Sequence, residues 1–355
     1  MSKDSFGSLF RVTTYGESHG PGLGGIVQGC PPGIALSEDI IQRELDKRKP
    51  GQGAASTRRK EEDRVELLSG VFEGRTTGTA IGFHVANQDQ RSRDYSGIKD
   101  IYRPGHGDIT YEAKYGIRDY RGGGRSSGRE TGSRVVAGAV AQEFLKTLDI
   151  RVMAYTIELG GIQARVQDVV GAHDRPFFSP DPKVVPSWEE LVQEVKSQGD
   201  SLGGIVEIRA ENVPAGLGEP VFDKLDARLA YALMGVGAVK GVEIGAGFAA
   251  SRLKGSENND QIGPEGFLSN NAGGVLAGIS SGQPLVVRAG VKPIPSIART
   301  QKTMTRQGTQ TRVNIGGRHD ISAIPRIVPV LKSMVMLVLA DMVLLQRAVK
   351  TTENR

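Results

Sequence analysis

Residues 103–134 read RPGHGDITYEAKYGIRDYRGGGRSSGRETGSR, a stretch with seven Arg or Lys residues, one histidine, a triple glycine and a serine pair. After it the sequence turns apolar with helical spacing, at Val135, Val136, Ala139, Val140, Phe144 and Leu148. Residues 127–130 (SGRE) have the form of a capping box, which predicts a helix that begins at Ser127 and ends near Leu148. A glycine-rich loop before a helix offers free backbone N–H groups, and the arginines add bidentate donors. We therefore expect a site for a small polyanion here.

Two other basic segments support this interpretation. Residues 47–59 (KRKPGQGAASTRR) are rich in turn residues and lack apolar anchors, and residues 292–296 (KPIPS) combine a lysine with a backbone fixed by proline. An arginine-rich stretch is also typical of a solvated face, and a triple glycine of a flexible turn. Next to an anion site, residues 47–59 are expected to form a mobile lid that carries Arg48.

The histidine pattern argues against a metal site. The five histidines show no ligand spacing that a metal would require, so no metal is expected. Ser18 and His19 lie in the turn GESHG (residues 16–20), and as direct neighbours they are not expected to face each other as nucleophile and base. No G-x-x-x-x-G-K-[ST] motif occurs, so a Walker-type NTPase is excluded. Residues 22–25 (GLGG) do not open a long helix and so do not form a convincing Rossmann fingerprint.

Composition sets the class of protein. The chain has 355 residues, 48 of them glycine, with a net charge of +5 and only 5% aromatic residues. The positive charge favours anionic partners, but acids and bases are interleaved and no basic tail of the nucleic-acid type is present. The single cysteine excludes an internal disulfide framework and fits a reducing compartment. The first residues lack a signal-peptide core, and the longest apolar run, 334–345, is too short to span a bilayer. We expect a soluble, cytoplasmic protein without a membrane or nucleic-acid partner.

The predicted elements do not alternate regularly, which favours an α+β fold over a doubly wound sheet. Strands are expected at 9–13, 24–28, 65–72, 79–86, 151–163, 204–209, 239–244, 274–278 and 284–289. Helices are expected at 37–48, 127–148, 188–198, 222–234 and 328–348, the last of them buried because it is apolar on most sides. No linker is evident, so residues 1–355 are taken as one domain.

The ordered set of motifs resembles one family, chorismate synthase, over nearly the whole chain. The motifs are GESHG (16–20), RPGH (103–106), RGGGRSS (121–127), GAVKGVEIG (237–245), KP (292–293) and GRHD (317–320). The resemblance implies a sandwich in which helices pack between two antiparallel sheets, assembled as a homotetramer. It implies anti-1,4-elimination of phosphate from 5-enolpyruvylshikimate 3-phosphate to give chorismate, with reduced FMN as cofactor. The length indicates a monofunctional enzyme that takes reduced flavin from an external source.

The resemblance also assigns roles to residues. Those that would hold substrate anions are Arg48, Arg103 and Arg134. Those that would line the flavin are Arg125, Ser126, Ser127, Gly237, Ala238, Ala277, Lys292, Pro293, Ile294, Pro295, Ser296 and Arg318. His19 would protonate the leaving phosphate, His106 would stabilise charge at the flavin N1/O2 edge, and Asp320 would be the base for the ring hydrogen, through flavin N5. Where many family members have an arginine this chain has Ala54, and Arg58 or Arg59 could replace that contact.

Two other classes of protein fit some of these features. A non-catalytic polyanion- or RNA-binding protein would use the same arginines, but it predicts exposed aromatic residues between them. A flavodoxin-like flavin carrier would need neither His19 nor the loop that carries Arg48.

Overall fold

The computed structural model describes residues 4–49, 55, 63–87, 98–315 and 319–349. Its strands are β1 Ser5–Phe6, β2 Arg11–Gly16, β3 Gly22–Gln28, β4 Val65–Leu67, β5 Val71–Phe72, β6 Arg75–Thr76, β7 Ile81–Ala86, β8 Arg151–Leu159, β9 Ile162–Gln163, β10 Gly204–Glu211, β11 Val239–Ile244, β12 Ile262–Gly263, β13 Gly266–Phe267, β14 Val275–Leu276, β15 Ile279–Ser280, β16 Leu285–Val291, β17 Gln301–Met304 and β18 Gln310–Val313. Its α-helices are α1 Glu38–Asp46, α2 Asp108–Tyr115, α3 Thr131–Lys146, α4 Val185–Ser197, α5 Leu225–Met234, α6 Gly255–Asn258 and α7 Ile324–Val349.

Two five-stranded antiparallel sheets enclose a layer of helices. The first sheet has the order β1-β2-β3-β7-β4 and the second the order β11-β16-β10-β8-β9. Helix α3 packs on β2 and β3 of the first sheet, α7 packs on β8 and β10 of the second, and the two helices pack on each other. The expected α+β sandwich with helices between two antiparallel sheets is confirmed.

Helix α7 is the core of this layer. It has 26 residues, and every position from Val328 to Val343 is buried except Lys332. Among the described residues it is the one helix long and apolar enough to cross a membrane, but 89% of its apolar window is buried inside the fold. It is therefore a core helix, as its apolar pattern predicts. It begins at Ile324 and not at 328, because Pro325 lies in the first turn, where no backbone N–H is needed.

The two central helices touch most closely at Gly138. A Cβ atom at Gly138 would lie 2.3 Å from Cβ of Ser333 and 2.8 Å from its Cα. Ser333 is fixed there because its hydroxyl donates to the carbonyl of Pro329, one turn earlier in α7, at 2.8 Å. Glycine is therefore required on α3 for the distance between the two helices.

Asp341 joins α7 to the first sheet. Its side chain is fully buried, and its carboxylate accepts hydrogen bonds from the backbone N–H groups of Ser8, Leu9 and Phe10 at 2.7–3.0 Å. Arg228 of α5 adds a fourth donor at 3.3 Å. The turn between β1 and β2 is thereby fixed to the core helix.

Several predicted elements differ from the observed ones. Helix α3 begins at Thr131 and not at Ser127, because residues 128–130 form a 3₁₀ turn that Ser127 caps through the N–H of Arg129. Glu130 does not complete a capping box, since its carboxylate pairs with Arg134. The predicted strand 65–72 is interrupted between β4 and β5, and α2 and the β17–β18 hairpin were not predicted. The assignment of residues 1–355 to one domain stays a prediction.

Substitution of Gly138 tests the contact between the central helices. Gly→Ala in a helix interior normally gains about 0.5–1 kcal/mol. At Gly138 the new methyl group would instead overlap Ser333, and we expect Gly138→Ala to lose about 1–3 kcal/mol of unfolding free energy in urea titrations. Gly132→Ala is the matched control, because in the same helix its Cβ would meet no atom closer than 3.7 Å. Equal stability of the two variants would refute the close contact.

Candidate active site

The turn that carries His19 lies between the end of β2 and the start of β3. The Oγ of Ser18 lies 3.1 Å from Nδ1 of His19, so the expectation that these neighbours could not face each other is wrong. The triple glycine of residues 122–124 covers this pair. A Cβ atom on Gly122 would lie 2.5 Å from Cε1 of His19 and 3.0 Å from the Ser18 hydroxyl oxygen. All three glycines have positive φ, which places them where only glycine fits without strain.

Asn87 holds the same turn from the other side. Its Nδ2 donates to the carbonyls of Glu17 at 2.9 Å and Gly20 at 2.8 Å, on either side of His19. Its Oδ1 accepts a hydrogen bond from Nε of Arg129 at 3.0 Å. No local pattern indicated Asn87, because its partners lie far away in the chain.

Arg48 belongs to a buried cluster, and the interpretation that it lies on a mobile lid is wrong. It is 1% exposed, its Nε donates to Oγ1 of Thr131 at 3.0 Å, and its Nη2 donates to the carbonyl of Gly128 at 2.6 Å. Asp63, itself 3% exposed, forms ion pairs with both Arg48 and Arg129. We call Arg48, Asp63 and Arg129 the Asp63 cluster. Residues 50–54 and 56–62 of the basic loop, including Ala54, Arg58 and Arg59, lie outside the described residues.

Arg103 belongs to a second cluster of the same kind. Asp108 accepts from Nε and Nη2 of Arg103 at 2.8 Å each, and Arg118 approaches the same carboxylate at 3.3 Å. Burial raises the pKa of Asp108, but the hydrogen bonds from Arg103 and the charge of Arg118 lower it below its ordinary value. We call Arg103, Asp108 and Arg118 the Asp108 cluster. In each cluster two guanidinium groups share one carboxylate, and Arg118 of the second cluster also pairs with Glu112 at 3.5 Å.

His106 connects the central stretch to residues 292–296. Its Nδ1 lies 3.0 Å from the carbonyl of Pro104 and its Nε2 lies 2.9 Å from Oγ of Ser296. Since a carbonyl can only accept, Nδ1 carries the proton, and in the neutral ring Nε2 accepts from the Ser296 hydroxyl. Lys292 reinforces the contact, because its Nζ donates to the carbonyl of Gly105 at 3.0 Å.

The two imidazoles have different electrostatic surroundings. Burial and the charge of Arg103 lower the pKa of His106 from 6.5 to about 4, so its ring is neutral near pH 7. His19 lies within electrostatic reach of Asp119. Burial raises the pKa of Asp119, while hydrogen bonds from Arg121 and the charge of His19 lower it below its ordinary value. The site thus pairs a neutral buried histidine with one beside a carboxylate.

Asp320 is connected to residues 292–296 through the segment that contains Ser201 and Leu202. Leu202 donates its N–H to the carbonyl of Ile321 at 2.8 Å, and the Ser201 hydroxyl donates to the carbonyl of Ile294 at 2.7 Å. The Asp320 carboxylate accepts from Nη1 of Arg326 at 3.2 Å. Arg318, the cation expected beside it, lies outside the described residues.

The remaining arginine candidates make contacts within the protein. Arg125 donates to the carbonyl of Gly16 and to the side chains of Thr14 and Asp4, so it fastens the glycine loop to the end of β2. Arg134 pairs with Glu130 and donates to the carbonyl of Gly235 at 2.9 Å. Its guanidinium group therefore lies close to the turn that contains Gly237 and Ala238. Of the two serines, Ser126 donates to the carbonyl of Gly123, and Ser127 caps the 3₁₀ turn.

Two alanines from the predicted flavin lining have an unusual backbone. Ala238 has φ of +74° and Ala277 has φ of +52°, a region that costs a non-glycine residue about 1–3 kcal/mol. Ala238 accepts a hydrogen bond from the N–H of Lys292 at 2.9 Å, which joins it to the site. Ala277 lies in the β14–β15 hairpin. The carbonyl of the neighbouring Gly278 accepts a hydrogen bond from the N–H of Leu225, at the start of α5. Within the described part of the chain, no hydrogen bond joins Ala277 to the other candidate residues.

The structure thus brings together His19, residues 121–126, Arg103, His106 and residues 292–296, since a Cβ atom on Gly123 would lie 3.9 Å from Nη2 of Arg103 and one on Gly107 would lie 3.8 Å from Oγ of Ser126. The arrangement offers two imidazoles, glycine-lined backbone and two clusters in which arginines are held by carboxylates. It can bind an anionic group and transfer protons beside it.

Comparison with known proteins gives a consistent result. Residues 10–344 match the family model described as chorismate synthase. A chorismate synthase of Maridesulfovibrio salexigens is 70% identical over 98% of this chain and 99% of its own length. One from Nitratidesulfovibrio vulgaris strain Hildenborough is 66% identical over 99% of this chain and 100% of its own. A crystal structure of chorismate synthase, 33% identical, superimposes with a TM-score of 0.76 over 96% of this chain and 93% of that one.

The depressed pKa of His106 predicts its titration. We expect the ring, followed by ¹H–¹⁵N NMR, to stay neutral with the proton on Nδ1 until the pH falls to about 4. Between about 6.5 and 4 the unfolded chain binds the proton and the folded chain does not, so this group makes stability fall as the pH falls through that window. Exposed His173, at 53% side-chain exposure, serves as the internal reference. Titration of His106 near 6.5 would refute the assignment.

Proposed function

The chain belongs to the chorismate synthase family, and we propose below how its own residues serve the reaction. It is a carbon–oxygen lyase that removes phosphate from 5-enolpyruvylshikimate 3-phosphate to give chorismate, the last step of the shikimate pathway. The convergence of His19, the glycine loop, Arg103 and His106 supports this part of the molecule as its active site. A polyanion-binding protein and a flavin carrier, the two alternatives, are not supported by this membership.

Enzymes of this family use a reduced flavin, and we propose that this chain takes it as FMN. The residues present fit such a group, because a flat ring needs backbone without obstructing side chains. Gly237 has open space where a Cβ atom would lie, and the neighbouring Ala238 has a left-handed backbone. Residues 125–127 and 292–296, with Arg318 and Ala277, would hold the flavin and its phosphate. When bound, reduced FMN supplies an electron-rich ring next to the substrate.

We propose that the substrate anions contact Arg103 of the Asp108 cluster. Asp108 occupies Nε and Nη2 of Arg103 and leaves Nη1 for a carboxylate or phosphate oxygen. Arg48 and Arg134 differ, because their N–H groups are engaged by the N-terminal part of α3 and by Gly235. We propose that these two fix the position of the α3 N-terminus and support the substrate indirectly.

Proton transfer is assigned to three residues. His19, held by Ser18 and Gly122, is proposed to donate a proton to the leaving phosphate oxygen. Asp320, held by Arg326, is proposed to accept the proton from the ring carbon. The C–H electron pair then forms a new double bond, the existing ring double bond shifts by one position, and the C–O electron pair leaves with the phosphate. His106 is neutral with Nε2 as acceptor, so it can stabilise a negative charge only after an anion raises its pKa.

The finer properties of the protein are proposals of the same kind. We propose a cytoplasmic homotetramer that depends on an external source of reduced flavin. Large apolar side chains support an assembly, since they are exposed on the chain alone: Phe222 at 92%, Ile262 at 73%, Phe248 at 71% and Leu268 at 70%.

A phosphate-release assay tests the cofactor. We expect the purified chain to release phosphate from 5-enolpyruvylshikimate 3-phosphate with dithionite-reduced FMN and not with oxidised FMN. Reduced riboflavin, which lacks the phosphate, should need about a tenfold to hundredfold higher concentration, because charge-assisted hydrogen bonds to that group are lost. Equal efficiency of riboflavin would argue against FMN, and no release with any reduced flavin would refute the function.

Isosteric substitutions test the proton-transfer roles. We expect His19→Gln and Asp320→Asn to bind reduced FMN and substrate normally while single-turnover phosphate release falls by roughly 10² to 10⁴. The control variants are His173→Gln and Asp174→Asn, since both side chains are more than half exposed and lie outside the candidate site. Full-speed release by Asp320→Asn would remove it from the mechanism. Loss of flavin binding alone would make it a cofactor contact.

A further inference from the structure

A cavity lies within the helix layer, apart from the candidate active site. It has a volume of about 310 Å³ and lies between α1, the C-terminal part of α3, α7 and strand β8. Gln142 on its wall is eleven residues beyond Thr131, which is about 16 Å along α3. Lys47 faces this cavity, whereas the next residue, Arg48, belongs to the Asp63 cluster. The cavity is therefore separate from the candidate active site.

The polar end of this cavity carries more positive than negative charge. Glu44 accepts from Lys47 at 2.7 Å and from Lys332 at 3.3 Å, and Lys332 also donates to Oε1 of Gln142 at 2.7 Å. Burial raises the pKa of Glu44, but Lys332 and Lys47 lower it to about 2, so this carboxylate is ionised. Burial and the charge of Lys47 lower the pKa of Lys332, against the charge of Glu44, which raises it. Two basic side chains thus face one carboxylate, and a second carboxylate beside Lys332 would favour its ammonium form. Lys332 has three N–H donors and uses two of them within the described residues, which leaves one.

Lys146, Arg151 and His173, all with side chains more than half exposed, also line the cavity, and the rest of its wall is apolar. It includes Leu145, Val152, Phe178, Val328 and Met336. A volume near 300 Å³ is at the lower end of the range for small-molecule pockets. A doubly charged, fully polar anion would place too much charge against these walls, whereas a hydrocarbon or aromatic body would fill them.

We propose that this cavity binds a small organic monocarboxylate with an apolar body. Its carboxylate would accept the remaining N–H of Lys332 and balance the extra positive charge that Lys47 and Lys332 leave beside Glu44. Its apolar body would lie against the side chains around Met336. No part of the proposed elimination requires this site.

The test uses 3-phenylpropionate as the probe on the full chain. Binding is followed by calorimetry and by the ¹³C-methyl NMR signal of Met336, assigned with Met336→Leu. Two control probes isolate the parts of the ligand: 3-phenylpropanamide has the same shape without the charge, and inorganic phosphate has charge without an apolar body. We expect one molecule of 3-phenylpropionate per chain, with an affinity about tenfold to hundredfold above that of either control.

Two variants are expected to change the affinity for 3-phenylpropionate in opposite directions. Lys332→Met should weaken binding of 3-phenylpropionate about tenfold to hundredfold, because the buried donor is lost. Glu44→Gln should strengthen binding of 3-phenylpropionate about tenfold, because the competing carboxylate is removed. This second variant still tests the proposal if Lys332→Met fails to fold. The proposal is overturned if the amide binds equally well or if 3-phenylpropionate shows no saturable binding. It is also overturned if Glu44→Gln does not strengthen binding, or if FMN displaces the probe.

Discussion

The buried carboxylate of Asp341 is the interaction on which the arrangement of layers depends. A charge without water must be hydrogen-bonded, or burying it costs several kcal/mol. Here the three N–H groups of residues 8–10 and the guanidinium of Arg228 satisfy it. Since α7 packs on the second sheet, this contact ties the edge of the first sheet to the opposite layer. Strand β2, which follows the anchored turn, ends at the segment that carries His19, so the position of the candidate acid is set from the core.

Sharing of one carboxylate between two arginines explains how a cationic site is kept rigid. An arginine held only by solvent would lose side-chain freedom when an anion binds. In the Asp63 and Asp108 clusters that loss has already occurred on folding, because each carboxylate holds two guanidinium groups in place. Such preorganised charge stabilises anionic groups without rearrangement at the moment of reaction. The arginines of the central stretch therefore act as fixed pairs, in contrast to a loose basic surface.

Much of this could be predicted from the sequence, because local patterns fix local structure. The apolar spacing after Arg134 predicted α3, the uniform apolar character of 328–348 predicted a buried helix, and the order of the motifs predicted the family. Arg48 was misplaced, because its basic neighbours indicate a surface loop and its partner Asp63 comes fifteen residues later. Helix α2 was missed since it is short and carries exposed Ile109 and Tyr115, so it has no clear apolar face. Asn87 was missed for a related reason: its partners are 42 to 70 residues away, and no local pattern encodes them.

The position of α7 in chain order affects how the protein is made. Both sheets and α3 leave the ribosome before α7 does, and the turn at Ser8 must wait for Asp341, 333 residues later. Until then α3 can cover the first sheet, but the inner face of the second sheet lacks α7, and such an exposed apolar surface favours aggregation. The core is complete only when α7 packs onto α3 and the second sheet, so the native contacts with the largest sequence separation form last.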